Sequence, residues 1–411
     1  MNKTRLAGLI LLGCPFAAGT ALAQSAPRAP QEQHADIVAS VRTFYDGNAA
    51  GGSQELADQR GLERQDLRIT PSIDADIYRP LGTGYVSLNG SLGYDINARN
   101  ERFDRERINA TLGAGQMVGP CGIDTTTSYR RQQSDLSSIN AAPGAGGLVS
   151  NTETTFSVGG MLACGGYVGF QPYAVAQYET SRNSVDQRKG SNSDSFTYGG
   201  GLMYTQPSIG EIRLFAVQRD VDFTERDQVN YFGSPELRIR SFGGQFARDI
   251  GARLGAFVML AYTDLDRLGD YDGVDTSGFS GLTWQAKLTL RASERLSFKA
   301  SAAQETTPSL NYRVDYTERN EYSLEATLVL NSRMNLSLLG SHTTRDYNYS
   351  VPPLDLNLTH DRMNTITASY NIQPIGPFRV SLDAIYENRA ANLDYYEYDA
   401  FSAGLTIQMQ I

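Results

Sequence analysis

Phe401-Ser-Ala-Gly-Leu-Thr-Ile-Gln-Met-Gln-Ile411 alternates apolar and polar residues without a break. In a strand, successive side chains face opposite sides. Phe401, Ala403, Leu405, Ile407, Met409 and Ile411 therefore form one greasy wall, and Ser402, Gly404, Thr406, Gln408 and Gln410 one wet wall. An exposed apolar strand edge is an aggregation site for a soluble protein. In a closed membrane barrel, lipid takes one face, lumen water takes the other, and the first strand takes the edge.

The opposite end of the chain agrees with export. Met1-Asn-Lys-Thr-Arg5 is basic, Leu6 to Pro15 is a short apolar core, and Ala21-Leu22-Ala23 reads as a small-residue cleavage site. Leu11-Leu-Gly-Cys14 offers a competing lipobox reading, but the apolar run continues past Cys14. The organisation expected is a signal peptide over 1–23, a flexible periplasmic lead over 24–36 and a barrel over 37–411.

Composition narrows the class further. Mean hydropathy is −0.35, and no window has the apolar length of a membrane helix. The chain carries 23 Tyr and 40 Gly with one Trp. Tyr belongs where apolar rings meet headgroups, and Gly relieves crowding in curved strands. A net charge of −9 argues against nucleic acid as a partner.

Reading for period-2 runs bounded by turn chemistry divides the chain into hairpins. Val86 to Ile96, Leu254 to Tyr262, Leu282 to Leu290, Tyr322 to Leu330 and Phe378 to Tyr386 are clear examples. Ser87, Asn89, Gln285, Lys287, Glu325 and Asp383 stand between their apolar residues, positions unacceptable in a dry sandwich core but suited to a wet lumen. Short connections such as Val118-Gly-Pro120 and Gln206 to Gly210 alternate with long ones. The long ones are read as Ser134 to Ser150, Ser181 to Asp194, Leu265 to Gly278, Thr306 to Asn320 and Asp346 to Asp361. That asymmetry is typical of outer-membrane barrels. About 17 strands follow Asp66. Since single-chain bacterial barrels have even counts, Ile37 to Asp46 is assigned as the first of about 18, with 16 as the alternative. Gly47 to Gln65 becomes the first outer loop.

Inward-facing charges expected from this alternation are Arg68, Arg130, Lys287, Lys299 and Arg379. The acidic set is Asp74, Asp95, Glu325 and Asp383. No single sign dominates, which suits a neutral or weakly charged, hydroxylated cargo. Cys121 and Cys164 fall near the periplasmic rim on neighbouring strands, where a disulfide is geometrically accessible in an oxidising compartment. Asp264, Asp266, Asp272 and Asp275 approximate a calcium loop with Gly269 sixth, although Leu268 fails the fifth ligand position. The plainer reading is an acidic loop among lipopolysaccharide. No catalytic constellation and no cofactor motif stands out. The three histidines, His34, His342 and His360, lack a local nucleophile motif.

Ile69 to Gly82, Gly93-Tyr-Asp95, Asn100 to Asn109 and Arg42-Thr-Phe-Tyr-Asp-Gly-Asn48 resemble the β-barrel porin 2 family. That resemblance implies an outer-membrane barrel of about 18 strands associated with exopolysaccharide assembly, and no catalytic residue. The implied role is an exit for polysaccharide, working with a periplasmic polysaccharide-export protein. Outer-membrane lipid, lipopolysaccharide and the barrel-assembly machinery complete the expected partners. Ile411 departs from the terminal Phe usual in barrel-assembly signals. The rival expectations are a diffusion porin for solute uptake and a structural or adhesive surface barrel.

Overall fold

The computed structural model describes residues 32–134, 136, 150–166, 168–226, 235–268, 278–309, 314–349, 358–374 and 376–411. The chain forms eighteen antiparallel strands in sequence order. They are β1 His34–Asp46, β2 Asp66–Leu81, β3 Gly84–Asn97, β4 Arg105–Val118, β5 Cys121–Gln133 and β6 Thr152–Cys164. Next come β7 Gly169–Asn183, β8 Ser193–Gln206, β9 Gly210–Asp222, β10 Glu236–Ile250, β11 Leu254–Leu268 and β12 Phe279–Arg291. The last six are β13 Leu296–Pro308, β14 Val314–Asn331, β15 Met334–Tyr349, β16 His360–Ile372, β17 Phe378–Ala391 and β18 Tyr398–Gln410. Each strand pairs with its sequence neighbours, and β18 pairs with β1 from Val38↔Gln410 to Tyr45↔Ala403. The sheet is closed, so it presents no free edge to hydrocarbon.

Alternation sorts the side chains into two solvents. On β18 the outward Phe401, Leu405, Ile407 and Met409 are exposed, whereas Ser402 and Gly404 are buried on the lumen side. Outward aromatics meet in cross-strand pairs: Tyr129↔Phe156, Tyr178↔Phe196, Phe242↔Tyr262 and Tyr386↔Phe401. A second set, Phe170↔Tyr204 and Phe378, lies toward the short turns. Phe170 to Tyr178, Tyr204 to Phe196 and Phe378 to Tyr386 are each eight residues apart. At roughly 3.3 Å per residue and a tilt near 40°, the two belts stand about 20 Å apart. That matches an apolar band flanked by aromatic girdles.

Connections at one end run two to five residues, and those at the other five to nineteen. Several outer connections are shorter than the sequence suggests. β11 continues to Leu268, β13 to Pro308 and β15 to Tyr349, while β14 begins at Val314. Thr306 to Asn320 is therefore mostly strand. Beyond the outer belt both faces are wet, so the period-2 signal disappears although the ladder continues. β1 likewise begins at His34, three residues ahead of Ile37 and inside the expected lead. Its irregular pattern comes from Phe44, which turns into the lumen while Ile37, Val41 and Tyr45 face out.

Candidate functional site: the lumen and its outer mouth

The register brings three arginines together on the inner wall of β1 to β4. Arg42 faces Thr70, Phe44 faces Arg68, and Gly93 faces Arg107. Arg107 Nη2 donates to Asp95 Oδ2 at 2.6 Å, Thr70 Oγ1 donates to Asp95 Oδ1 at 2.6 Å, and Arg68 Nε lies 4.0 Å from Asp95 Oδ1. Two guanidiniums share one aromatic ring: the Arg42 and Arg68 carbons stand 4.6 and 5.4 Å from the Phe44 centroid. Such stacking holds a cation in place without neutralising it. Arg42 Nε is buried and finds no hydrogen-bond partner among the described residues. Gly404 leaves space for this group, since a Cβ there would lie 3.1 Å from Phe44 Cδ2 and 3.6 Å from Arg42 Nε. Asp383 joins from the other side, in register with Gly404 and accepting from Ser369 Oγ at 2.7 Å. Asp46 and Asp66 also act on Arg68, so four carboxylates surround the three guanidiniums, and Arg42 is the one held by stacking on Phe44 with no ion pair among the described residues.

The other lumen residues singled out from the sequence are spread around the wall. Arg130 lies 3.6 Å from Glu153 Oε1, and Lys299 Nζ lies 3.1 Å from Glu325 Oε2. Lys287 stands 5.7 Å from the Phe257 ring centroid. Asp74 pairs with Val38 in register, and Arg379 pairs with Gln408. Hydroxyls run in one row across β13 to β16: Ser301↔Ser323, Ser323↔Ser341 and Ser341↔Thr365.

Arg42 and Arg107 were not read from the sequence as lumen residues. The parity of β4, with Ile108, Ala110 and Leu112 outward, would have placed Arg107, but β1 offered no clean alternation from which to place Arg42. A further surprise is apolar. Met161, Tyr173, Val175, Met203, Phe215 and Ala261 form a buried cluster on the inner face of β6 to β11. Glycines make room for it: a Cβ on Gly243 would stand 2.7 Å from Phe215 Cζ.

Cys121 and Cys164 lie directly opposite each other across β5 and β6 and are joined by a disulfide, Cα–Cα 4.0 Å. Asp264 and Asp266 belong to β11 rather than a loop, and Arg240 Nη1 lies 3.8 and 3.1 Å from them. Register with outward Phe242 and Tyr262 puts this group on the outer wall above the aromatic belt. Asp272 and Asp275 lie outside the described residues. Among the described residues no three His, Cys, Asp or Glu side chains gather as a metal site. His34 is the first residue of β1 and stacks on Tyr78. His342 faces outward beside Tyr322, and His360 bonds Asp346 at the outer rim.

Above the arginines, outer connections fold over the mouth. A helix, α1 (Gln54–Arg60), lies between β1 and β2. Ser53 caps its start and Gly61, at φ 62°, ends it. Ala57 packs with Phe103 and Leu136 of the second and third outer connections. Leu56 packs in a buried cluster with Val314, Tyr347, Leu358 and Tyr396. The helix thus touches elements from β3 to β6 on one side and from β14 to β18 on the other. The turn after β9 brings Phe223 against Leu237, Leu265 and Tyr316. Its Arg226 Nη1 lies 3.0 Å from Asp315 Oδ1, and Arg267 Nε of β11 lies 3.0 Å from Asp315 Oδ2.

Closure of eighteen strands with lipid-facing girdles and short turns at one end settles the setting. The chain is a Gram-negative outer-membrane β-barrel. No protein-family model matches the sequence, and no curated protein matches it. The porin 2 resemblance therefore rests on its motifs alone. Among solved structures, the barrel superposes on Pseudomonas aeruginosa OccK2 (OpdF) with a TM-score of 0.50 at 11% identity, over 92% of this chain and 98% of that one. Acinetobacter baumannii OccAB3 aligns at 0.47 and 9% identity, over 92% of this chain and 99% of that one. The outer membrane protein OprD from Pseudomonas aeruginosa aligns at 0.45 and 12% identity, over 92% and 94%. At these identities the likeness concerns the fold.

Proposed function

We propose that this barrel is a passive channel admitting small, water-soluble solutes through the outer membrane, with a preference for anions. The observation that carries this reading is Arg42. It is a half-buried guanidinium facing the lumen, stacked on Phe44 and backed by Arg68 and Arg107. A permeating carboxylate can take two N–H bonds from such a fork and leave readily, because water competes for both partners.

The polysaccharide exit suggested by the family resemblance needs a wide outer mouth through which a polymer can thread. Here α1 and the turn after β9 lie packed across that mouth, and opening it would expose Leu56, Val314 and Phe223 to water. The hydroxyl row on β13 to β16 suits sugars, but it suits water equally. A surface-attachment role gains no support from a lumen this charged.

Liposome swelling tests the reading. Liposomes containing the barrel are expected to swell in small organic acids and stay closed to oligosaccharides of several units. Equal entry of both would restore the polymer path, and exclusion of both would make the barrel closed.

A further inference from the structure

We propose that one half of the periplasmic rim is a docking surface for an extended acidic segment of a soluble periplasmic protein. Eight short connections close the barrel on that side, and by sequence only three of them carry charge. These are Arg253 between β10 and β11, Glu294 and Arg295 between β12 and β13, and Arg333 between β14 and β15. The three hairpins are consecutive. The other connections, such as Gly82-Thr83, Gly119-Pro120 and Pro207-Ser-Ile209, are neutral. A task shared by every turn, such as staying out of the bilayer, would spread charge around the whole rim.

The three arginines occupy equivalent places. Each directly precedes the first residue of its returning strand, Leu254, Leu296 or Met334. Each is tied to the next strand through its carbonyl: Arg291 N donates to Arg253 O at 2.7 Å, Val329 N to Arg295 O at 2.7 Å and Gln373 N to Arg333 O at 2.8 Å. The backbone is thus fixed while the side chains are exposed, with no hydrogen bond or ion pair among the described residues. Leu254, Leu296 and Met334 are in register with the outward Leu290, Leu328 and Ile372. Alternation therefore puts the arginine before each on the water side of the ladder, away from phospholipid headgroups. With Arg291 at the end of β12, four guanidiniums stand at these turns against Asp249 and Glu294.

Spacing specifies the occupant. Successive arginines lie two strands apart, which at about 4.8 Å per strand and a tilt of roughly 40° is about 12 Å along the rim. An extended chain advances about 3.3 Å per residue, so carboxylates four residues apart meet successive guanidiniums. Beside Arg333 a cavity of about 670 Å³ is lined by Met334, Ile372, Pro374 and Gln373, a place for an apolar side chain next to such a carboxylate. Each exposed ion pair is weak alone, so docking needs the whole row and falls with salt. The proposal is independent of what the lumen conducts.

The probe is a fluorescein-labelled nonapeptide with glutamate at its first, fifth and ninth positions and serine, leucine and glycine between them. Anisotropy at low salt compares the parent barrel with the triple variant Arg253→Gln, Arg295→Gln and Arg333→Gln, heat-modifiable migration confirming that both are assembled. The parent is expected to bind about tenfold more tightly than the triple variant. A peptide with its three glutamates side by side is expected to bind the parent several-fold less tightly than the spaced one. Equal affinity of parent and triple variant would overturn the docking surface. Arginine-dependent binding of soluble muropeptides or of phosphatidylglycerol vesicles, with no binding of the peptide, would overturn the acidic segment as occupant.

Discussion

Leu405 and Thr406 are adjacent in β18 and belong to different solvents. Leu405 pairs with Leu382 and Thr43 on the outer wall, while Thr406 pairs with Ser381 and with Arg42 on the lumen wall. Leu405→Arg should cost about 2–4 kcal/mol if the residue lies near the bilayer midplane, and Thr406→Arg much less. The folded fraction of each variant in lipid vesicles reads this difference. Equal tolerance at both positions would contradict the two-faced strand.

The Cys121–Cys164 bond closes a segment 43 residues apart in sequence. Loop-closure entropy of that length stabilises by at most about 4 kcal/mol, and engineered or redundant bridges deliver less. Replacing both cysteines by serine is expected to lower the urea midpoint for unfolding from vesicles while leaving conductance unchanged, because the bond sits on the wall near the periplasmic turns. An unaltered midpoint would mean that β5 and β6 are already held fully by their ladder.

Two glycines should respond oppositely to alanine. A Cβ on Gly201 would stand 1.8 Å from the carbonyl oxygen of Leu214, whereas a Cβ on Gly340 meets nothing within 4 Å. Backbone must shift in the first case and nothing moves in the second. Gly201→Ala should destabilise the barrel by about 1–3 kcal/mol, and Gly340→Ala should fold like the parent. Comparable folded fractions for the two variants would disprove the close approach of β8 and β9.

Strand count, closure and sidedness were legible because lipid and lumen impose period 2 along every membrane-crossing segment. Phe401 to Ile411 and Phe378 to Tyr386 needed no tertiary information. Legibility ended where both faces are wet. Glu318 and Arg319 lie in β14 yet read as loop, and α1 is too short to announce itself within Gly47 to Gln65. The arginine station was half visible. Arg68, Asp95 and Asp383 follow from parity, but their meeting depends on how β17, β18 and β1 stack in register, and Phe44 breaks the pattern that would have exposed Arg42.

Reversal potential in a potassium chloride gradient tests the central claim most directly. Arg42, stacked on Phe44 and with no ion pair among the described residues, should make chloride the more permeant ion in the parent barrel. Arg42→Gln with Arg68→Gln leaves Asp95 and Asp383 in place, and should move the reversal potential toward cation preference with little change in folded fraction. A parent barrel that prefers potassium, or a double variant whose reversal potential stays where the parent's lies, would contradict the account.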